Sequence, residues 1–176
     1  HHEIAKRIAK THFDVGYSNE SGVRELVDNA GALMGEIELD AERQVMNRFL
    51  AELIKPQPRA AYGEVMLRQA LDQGAVDTLL ISESMRKVSV EIECNQCKHT
   101  WVVSISRTDE LPSCPTCGVG NDSHKELSNT SLIDVLSKMA AKSNSEISFI
   151  STDTEEGAQL AHGFGGLAAI LRYPMM

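Results

Sequence analysis

Hydrophobic residues mark out helices first. Val23, Leu26, Val27, Ala30, Leu33, Met34 and Ile37 recur at three- and four-residue steps, the spacing of an amphipathic helix. Ser18, Asn19, Ser21 and Gly22 ahead of them supply turn and N-cap chemistry. Gly35 is expected to weaken or end this helix. A second helical pattern follows in Leu39, Val45, Met46, Phe49, Leu50 and Leu53, with Asp40 as its cap and Pro56 and Pro58 as its stop. Two helices, or one kinked rod joining two domains, fit the pattern, and a boundary is placed near residue 40. Upstream, residues 3–12 read as a charged lead-in and Phe13 to Tyr17 as the end of a strand.

From Tyr62 onward strands and helices alternate. Residues 62–73 predict a helix with Val65, Met66, Ala70 and Leu71 inward, closed by Gly74. Val76 to Ile81 reads as a buried strand. Val88 to Ile92 alternates apolar and polar residues and runs into Cys94. Thr100 to Ile105 alternates too, with Trp101, Val103 and Ile105 on one face. Residues 130–141 predict a helix capped by Asn129 or Thr130, with Leu132, Ile133, Leu136 and Met139 as its apolar stripe. Glu146 to Ile150 is a strand, Thr154 to His162 a helix with Thr154 as N-cap, and Ala168 to Tyr173 a last strand. This alternation implies an α/β fold, a mixed sheet covered by helices.

Charge narrows the choice of partner. The chain carries 17 basic and 25 acidic residues, a formal charge of −8. A dedicated nucleic-acid binder usually shows the reverse, so a protein partner is expected and strong binding of free nucleic acid is not. No apolar run reaches the length of a membrane span. Residues 1–12 lack the continuous apolar region of a signal peptide, and a cytoplasmic location is expected.

The four cysteines carry the clearest chemistry. Cys94-Asn-Gln-Cys97 and Cys114-Pro-Thr-Cys117-Gly118 are separated by 16 residues, the arrangement of a four-thiolate zinc site. Two cysteines two residues apart wrap a tight turn around one metal, and a second such turn closes the shell. Gly118 suits the positive φ such a turn requires. Four thiolates leave no position for water, so the zinc is expected to be structural, within an inserted ribbon over residues 88–122. His99 and His124 flank this closed shell. Gly163-Phe164-Gly165-Gly166 follows a helix and precedes a strand, the reverse of a phosphate-binding fingerprint, and reads as a helix stop. No spacing of carboxylates, serines or histidines singles out a catalytic set, so no enzyme is expected.

Several segments resemble a known family. These are Gly16-Tyr17-Ser18-Asn19-Glu20-Ser21-Gly22, Met46-Asn47-Arg48-Phe49-Leu50-Ala51-Glu52-Leu53, Tyr62-Gly63-Glu64 with Ala70 to Asp77, and Gly157-Ala158-Gln159-Leu160 with Gly163 to Gly166 and Ile170-Leu171-Arg172-Tyr173. Together they resemble the archaeal and eukaryotic class of peptide chain release factors, and the cysteine pairs fit the archaeal branch. The resemblance implies the tail of a middle domain over residues 1–39. A third domain over 40–176 follows, an α/β/α sandwich like certain ribosomal proteins. It implies docking to an elongation-type translational GTPase, the ribosome and a ribosome-splitting ATPase. It places Ile170, Leu171, Arg172 and Tyr173 on the GTPase-docking surface, with Ala169 where the family has glycine. The Gly-Gly-Gln loop that promotes peptidyl-tRNA hydrolysis is absent from this sequence. Two alternatives stay open: the equivalent domain of the ribosome-rescue factor Pelota, and a stand-alone RNA-binding module of the ribosomal-protein fold.

Overall fold

A computed structural model describes residues 12–120 and 123–175. The lead-in expected at residues 3–12 lies almost entirely outside them. Contacts divide the chain into two compact units, His1–Ala41 and Glu42–Met176.

In the first unit Phe13 to Tyr17 forms no strand. Asn19 caps the helix that follows, its Oδ1 accepting from the N–H groups of Ser21 and Gly22. This helix, α1 (Glu20–Leu53), passes through Gly35 and Asp40 without a break. A single helical glycine costs only about 1 kcal/mol, too little to stop a helix continued on both sides. Val23, Val27, Met34 and Ile37 stay exposed.

The second unit holds two sheets. Its elements in order are β1 (Ala60–Tyr62), α2 (Glu64–Asp72), β2 (Val76–Ser82), β3 (Lys87–Cys94), β4 (Thr100–Ser106), β5 (His124–Ser131), α3 (Leu132–Lys142), β6 (Glu146–Ile150), α4 (Glu155–Gly163) and β7 (Leu167–Leu171). The body sheet has the order β1-β7-β2-β6; β6 runs parallel to β2 and the other pairs are antiparallel. Alternate strand residues face opposite ways, so it buries both faces. Leu79, Ile81 and Ala169 pack with Leu67 and Leu71 of α2 and Leu132 and Leu136 of α3. Leu80, Ala168 and Ile170 pack with Met46 and Phe49 of α1 and Leu160 of α4.

The second sheet, the ribbon, has the order β4-β3-β5, all antiparallel. It extends past residue 122, because β5 pairs along β3 from Cys94↔His124 to Val88↔Ser131. Val88, Val90 and Ile92 form its small core, with Trp101, Val103, Ile105 and Leu111 against them.

Several expectations need correction. The pattern predicted neither β1 nor β5. The helix expected from residue 62 begins at Glu64, with its phase turned: Leu67, Ala70 and Leu71 are buried, while Val65 is 74% exposed and Met66 is also exposed. Ser131, not Asn129 or Thr130, precedes α3, without a side-chain cap bond. Thr154 caps α4 as expected, accepting from the Gly157 N–H at 3.1 Å. The last strand stops at Leu171.

Candidate metal centre

Two tight turns build the cysteine cluster, and they repeat each other. In the first, the Lys98 N–H donates to the Cys94 carbonyl and the Cys94 N–H to the His99 carbonyl. In the second, the Gly118 N–H donates to the Cys114 carbonyl and the Cys114 N–H to the Val119 carbonyl. Lys98 (φ 60°) and Gly118 (φ 72°) occupy equivalent left-handed positions. Gly118 was legible in the sequence; that lysine takes the same conformation was not.

The turns bring all four sulfur atoms within 4.8 Å of one another. Cys94 Sγ lies 3.6 Å from Cys117 Sγ, and Cys97 Sγ lies 3.6 Å from Cys114 Sγ. A tetrahedral zinc with bonds of about 2.3 Å sets sulfurs about 3.8 Å apart. All four thiols are free, Cys94 and Cys114 buried and Cys97 and Cys117 exposed. The donor set therefore fits a four-coordinate metal, which these residues would hold as a structural cross-link.

Backbone amides aim at the sulfurs. The Cys97 N–H, with that of Gln96, lowers the Cys94 pKa against the effect of burial. Burial is the largest influence on Cys114, pushing it up, but the Cys117 and Thr116 N–H groups and the neighbouring thiols bring it down to about 6. The Val119 N–H favours the Cys117 thiolate, yet burial and the three other thiols push it up to about 12. Four sulfurs this close cannot all ionise cheaply without a cation among them. His99 and His124 stand outside the cluster of ligand atoms. Trp101 separates their roles as packing groups: His99 stacks on it at 5.9 Å and His124 meets it edge-on at 5.1 Å.

The four residues expected to dock a partner divide in two. Ile170 and Leu171 are 1% and 3% exposed. Both are core, on opposite faces of β7, and neither is available to a partner, a correction that follows from α2 and α3 covering one face of the sheet and α1 and α4 the other. Arg172 and Tyr173 lie beyond the strand and are exposed. Arg172 donates to the carbonyls of Gly74, Ser143 and Asn144, and the Tyr173 hydroxyl donates to the Gln73 carbonyl. These carbonyls belong to the ends of α2 and α3. Each end carries a left-handed residue, Gly74 at φ 66° and Asn144 at φ 50°, and the Ala75→Ala70 and Ser145→Ala140 bonds complete two Schellman closures. Arg172 thus places its charge at the negative end of both helices.

A family profile described as eRF1 domain 3 matches residues 39–175. The chain belongs to the eRF1 domain 3 family. Peptide chain release factor subunit 1 of Methanococcus maripaludis (strain C6) is 39% identical over 187 aligned residues, covering 99% of this chain and 43% of that protein. The Pyrococcus abyssi protein of the same name is 40% identical, with 98% and 42% covered. The chain therefore spans less than half the length of these relatives. The solved C-terminal domain of a peptide chain release factor from Methanosarcina mazei is 37% identical with a TM-score of 0.74, covering 90% of this chain and 98% of that one. Archaeoglobus fulgidus Pelota shares the fold at 22% identity and a TM-score of 0.54, with 92% and 39% covered. An eRF1 domain 3 assignment thus extends over β1 to β7, the ribbon included.

Proposed function

We propose that this chain is a non-catalytic docking domain of a translation termination factor, working in the cytoplasm. It binds an elongation-type translational GTPase and the ribosome, with a ribosome-splitting ATPase as a third partner. The match to eRF1 domain 3 along residues 39–175 carries this reading. The body belongs with the α/β/α sandwiches of ribosomal proteins, and Cys94, Cys97, Cys114 and Cys117 hold a structural zinc. Such a shell offers no coordination site for water, in keeping with a role that rests on surface complementarity. The relatives at 39–40% identity are release factors, which favours termination over rescue.

Arg172 and Tyr173 form the docking end, an arginine and an aromatic ring of the kind that anchors interfaces. The test is a pull-down with the purified GTPase in its GTP-bound form. Tyr173→Ala weakens capture about tenfold or more, while Tyr173→Phe, which loses only the Gln73 bond, retains most of it. Equal capture by Tyr173→Ala and wild type would remove Tyr173 from the interface. The isolated chain releases no peptide from peptidyl-tRNA; measurable release would overturn the non-catalytic assignment.

A further inference from the structure

We propose that a cleft at the base of the ribbon is a clamp for one phosphate of an RNA backbone; the RNA being ribosomal rests on the reading above. The cleft encloses about 200 Å³ and is lined by Ser84, Arg86, Lys87, Ser106, Gly165 and Gly166 among others, with no carboxylate. Acids outnumber bases on a chain of charge −8, and five of its arginines have one as a partner. Arg24, Arg43, Arg48, Arg59 and Arg68 all lie against a carboxylate.

Arg86 does not. Its Nη1 donates to the carbonyls of Glu83 at 2.6 Å and Met85 at 2.9 Å. The guanidinium is thereby fixed, with Nη2 and Nε left without a partner among the described residues. The Lys87 ammonium has no partner among them either. The β3–β4 register pairs Lys87 with Ser106 at the open end of the hairpin, and Arg107 lies on the turn that follows, where it lines a neighbouring cleft. Arg86 and Lys87 both line the cleft at the ribbon's base, and an anion bound there offsets the repulsion between two like charges. Asp109, on the same turn, accepts from the Ser106 N–H.

The remaining donors suit phosphate. The Ser106 hydroxyl and the Gly165 N–H have no partner among the described residues. Gly165 and Gly166 both hold positive φ, 67° and 78°. A Cβ at Gly166 would approach Met85 Cε to 2.8 Å, so the turn stays bare of side chains beside the cleft. Fixed arginine, lysine, hydroxyl and amide are the donors that protein–nucleic acid interfaces use on phosphate. The cleft admits one such group. The overall negative charge repels RNA at long range, so the clamp fixes register once the domain is docked and gives weak affinity for free RNA.

The test uses amide chemical shifts of the whole chain titrated with a short RNA duplex, inorganic phosphate or poly-L-glutamate. RNA, and phosphate more weakly, shift the Arg86, Lys87, Ser106 and Gly165 amides. The double change Arg86→Gln with Lys87→Gln weakens RNA binding about tenfold and reduces the log–log salt slope by roughly 0.9, the value for one phosphate, whereas Arg86→Lys retains most binding. Circular dichroism confirms that each variant is folded. RNA shifts confined to other residues, or a stronger response of the cleft to polyglutamate than to RNA, would overturn the proposal. Co-sedimentation with ribosomes separates the two readings. If wild type pellets and the double variant pellets equally, the ribosomal clamp falls and ribosome docking stands. If wild type does not pellet although RNA shifts the cleft, the docking reading falls and phosphate recognition stands.

Discussion

The two sheets of the second unit solve the same problem by different means. The body sheet buries side chains on both faces, with fully buried Leu79, Leu80, Leu132, Leu136, Phe49 and Ile81 among them. Among the described residues the ribbon's buried apolar side chains other than cysteine are Val88, Val90 and Ile92, on one face, and β5 is largely exposed. So small a core cannot offset the conformational entropy of ordering three strands, at about 1–2 kcal/mol per residue. The contrast leads to an expectation: the ribbon depends on the cysteine turns for its folding, and the body does not.

Metal removal tests this contrast most severely. Structural zinc contributes on the order of 10 kcal/mol in isolated modules. Strong chelation, or Cys114→Ser, should unfold the ribbon and spare the body. Trp101 is the chain's one tryptophan and sits between His99 and His124, so its fluorescence reports the ribbon alone. Unchanged fluorescence on metal removal would break the comparison. The converse is Leu136→Ala in α3, expected to cost the body about 3–4 kcal/mol while leaving a one-to-one zinc content measured by atomic absorption.

Arg172→Ala should cost about 1–2 kcal/mol, because three carbonyls at two helix ends lose a charged donor. Thermal denaturation checks this, and a docking assay on the variant needs that correction. A smaller effect is expected at Glu52, whose carboxyl is held below 4.5 by hydrogen bonds from Lys55 and Arg59. A carboxylate with a depressed pKa stabilises fully above its unfolded value and loses that contribution as pH falls through the folded one. The stability difference between wild type and Glu52→Gln should thus stay constant above pH 4.5 and shrink below it, as urea titrations at several pH values would show. The smallest effect belongs to Lys98→Gly, which relieves a left-handed lysine and should stabilise the metal-loaded ribbon by about 0.5–1 kcal/mol. A loss of stability would show that the two turns are less alike than their hydrogen bonds.

These residues also show what could be read in advance. Cys94, Cys97, Cys114 and Cys117 were legible because their chemistry depends on local spacing. Leu132, Leu136 and Thr154 were legible because periodicity and capping are local too. β5 was not: His124 to Ser131 has one aliphatic residue, Leu127, and is a strand only because β3 offers it a ladder. Val65 and Met66 were placed inward by pattern, but the three-residue β1 sets where α2 begins and so its phase. The docking segment misled most. Ile170 and Leu171 look like anchors until helices are seen on both faces of β7. Arg172 meets carbonyls 28, 29 and 98 positions away, a convergence no local pattern announces.

One feature of the ribbon reaches beyond stability. It leaves the body after Ser82 and returns at Leu132, and Val88 faces Ser131 across the ladder. Departure and return are therefore neighbours, and a few turn residues could bridge them at little entropic cost. Among the described residues of the segment, Met85 alone belongs to the body core, and without the rest β2 would still pass through α3 to its parallel mate β6. A lineage could shed the thiols, and with them any dependence on metal supply, without disturbing the architecture that remains.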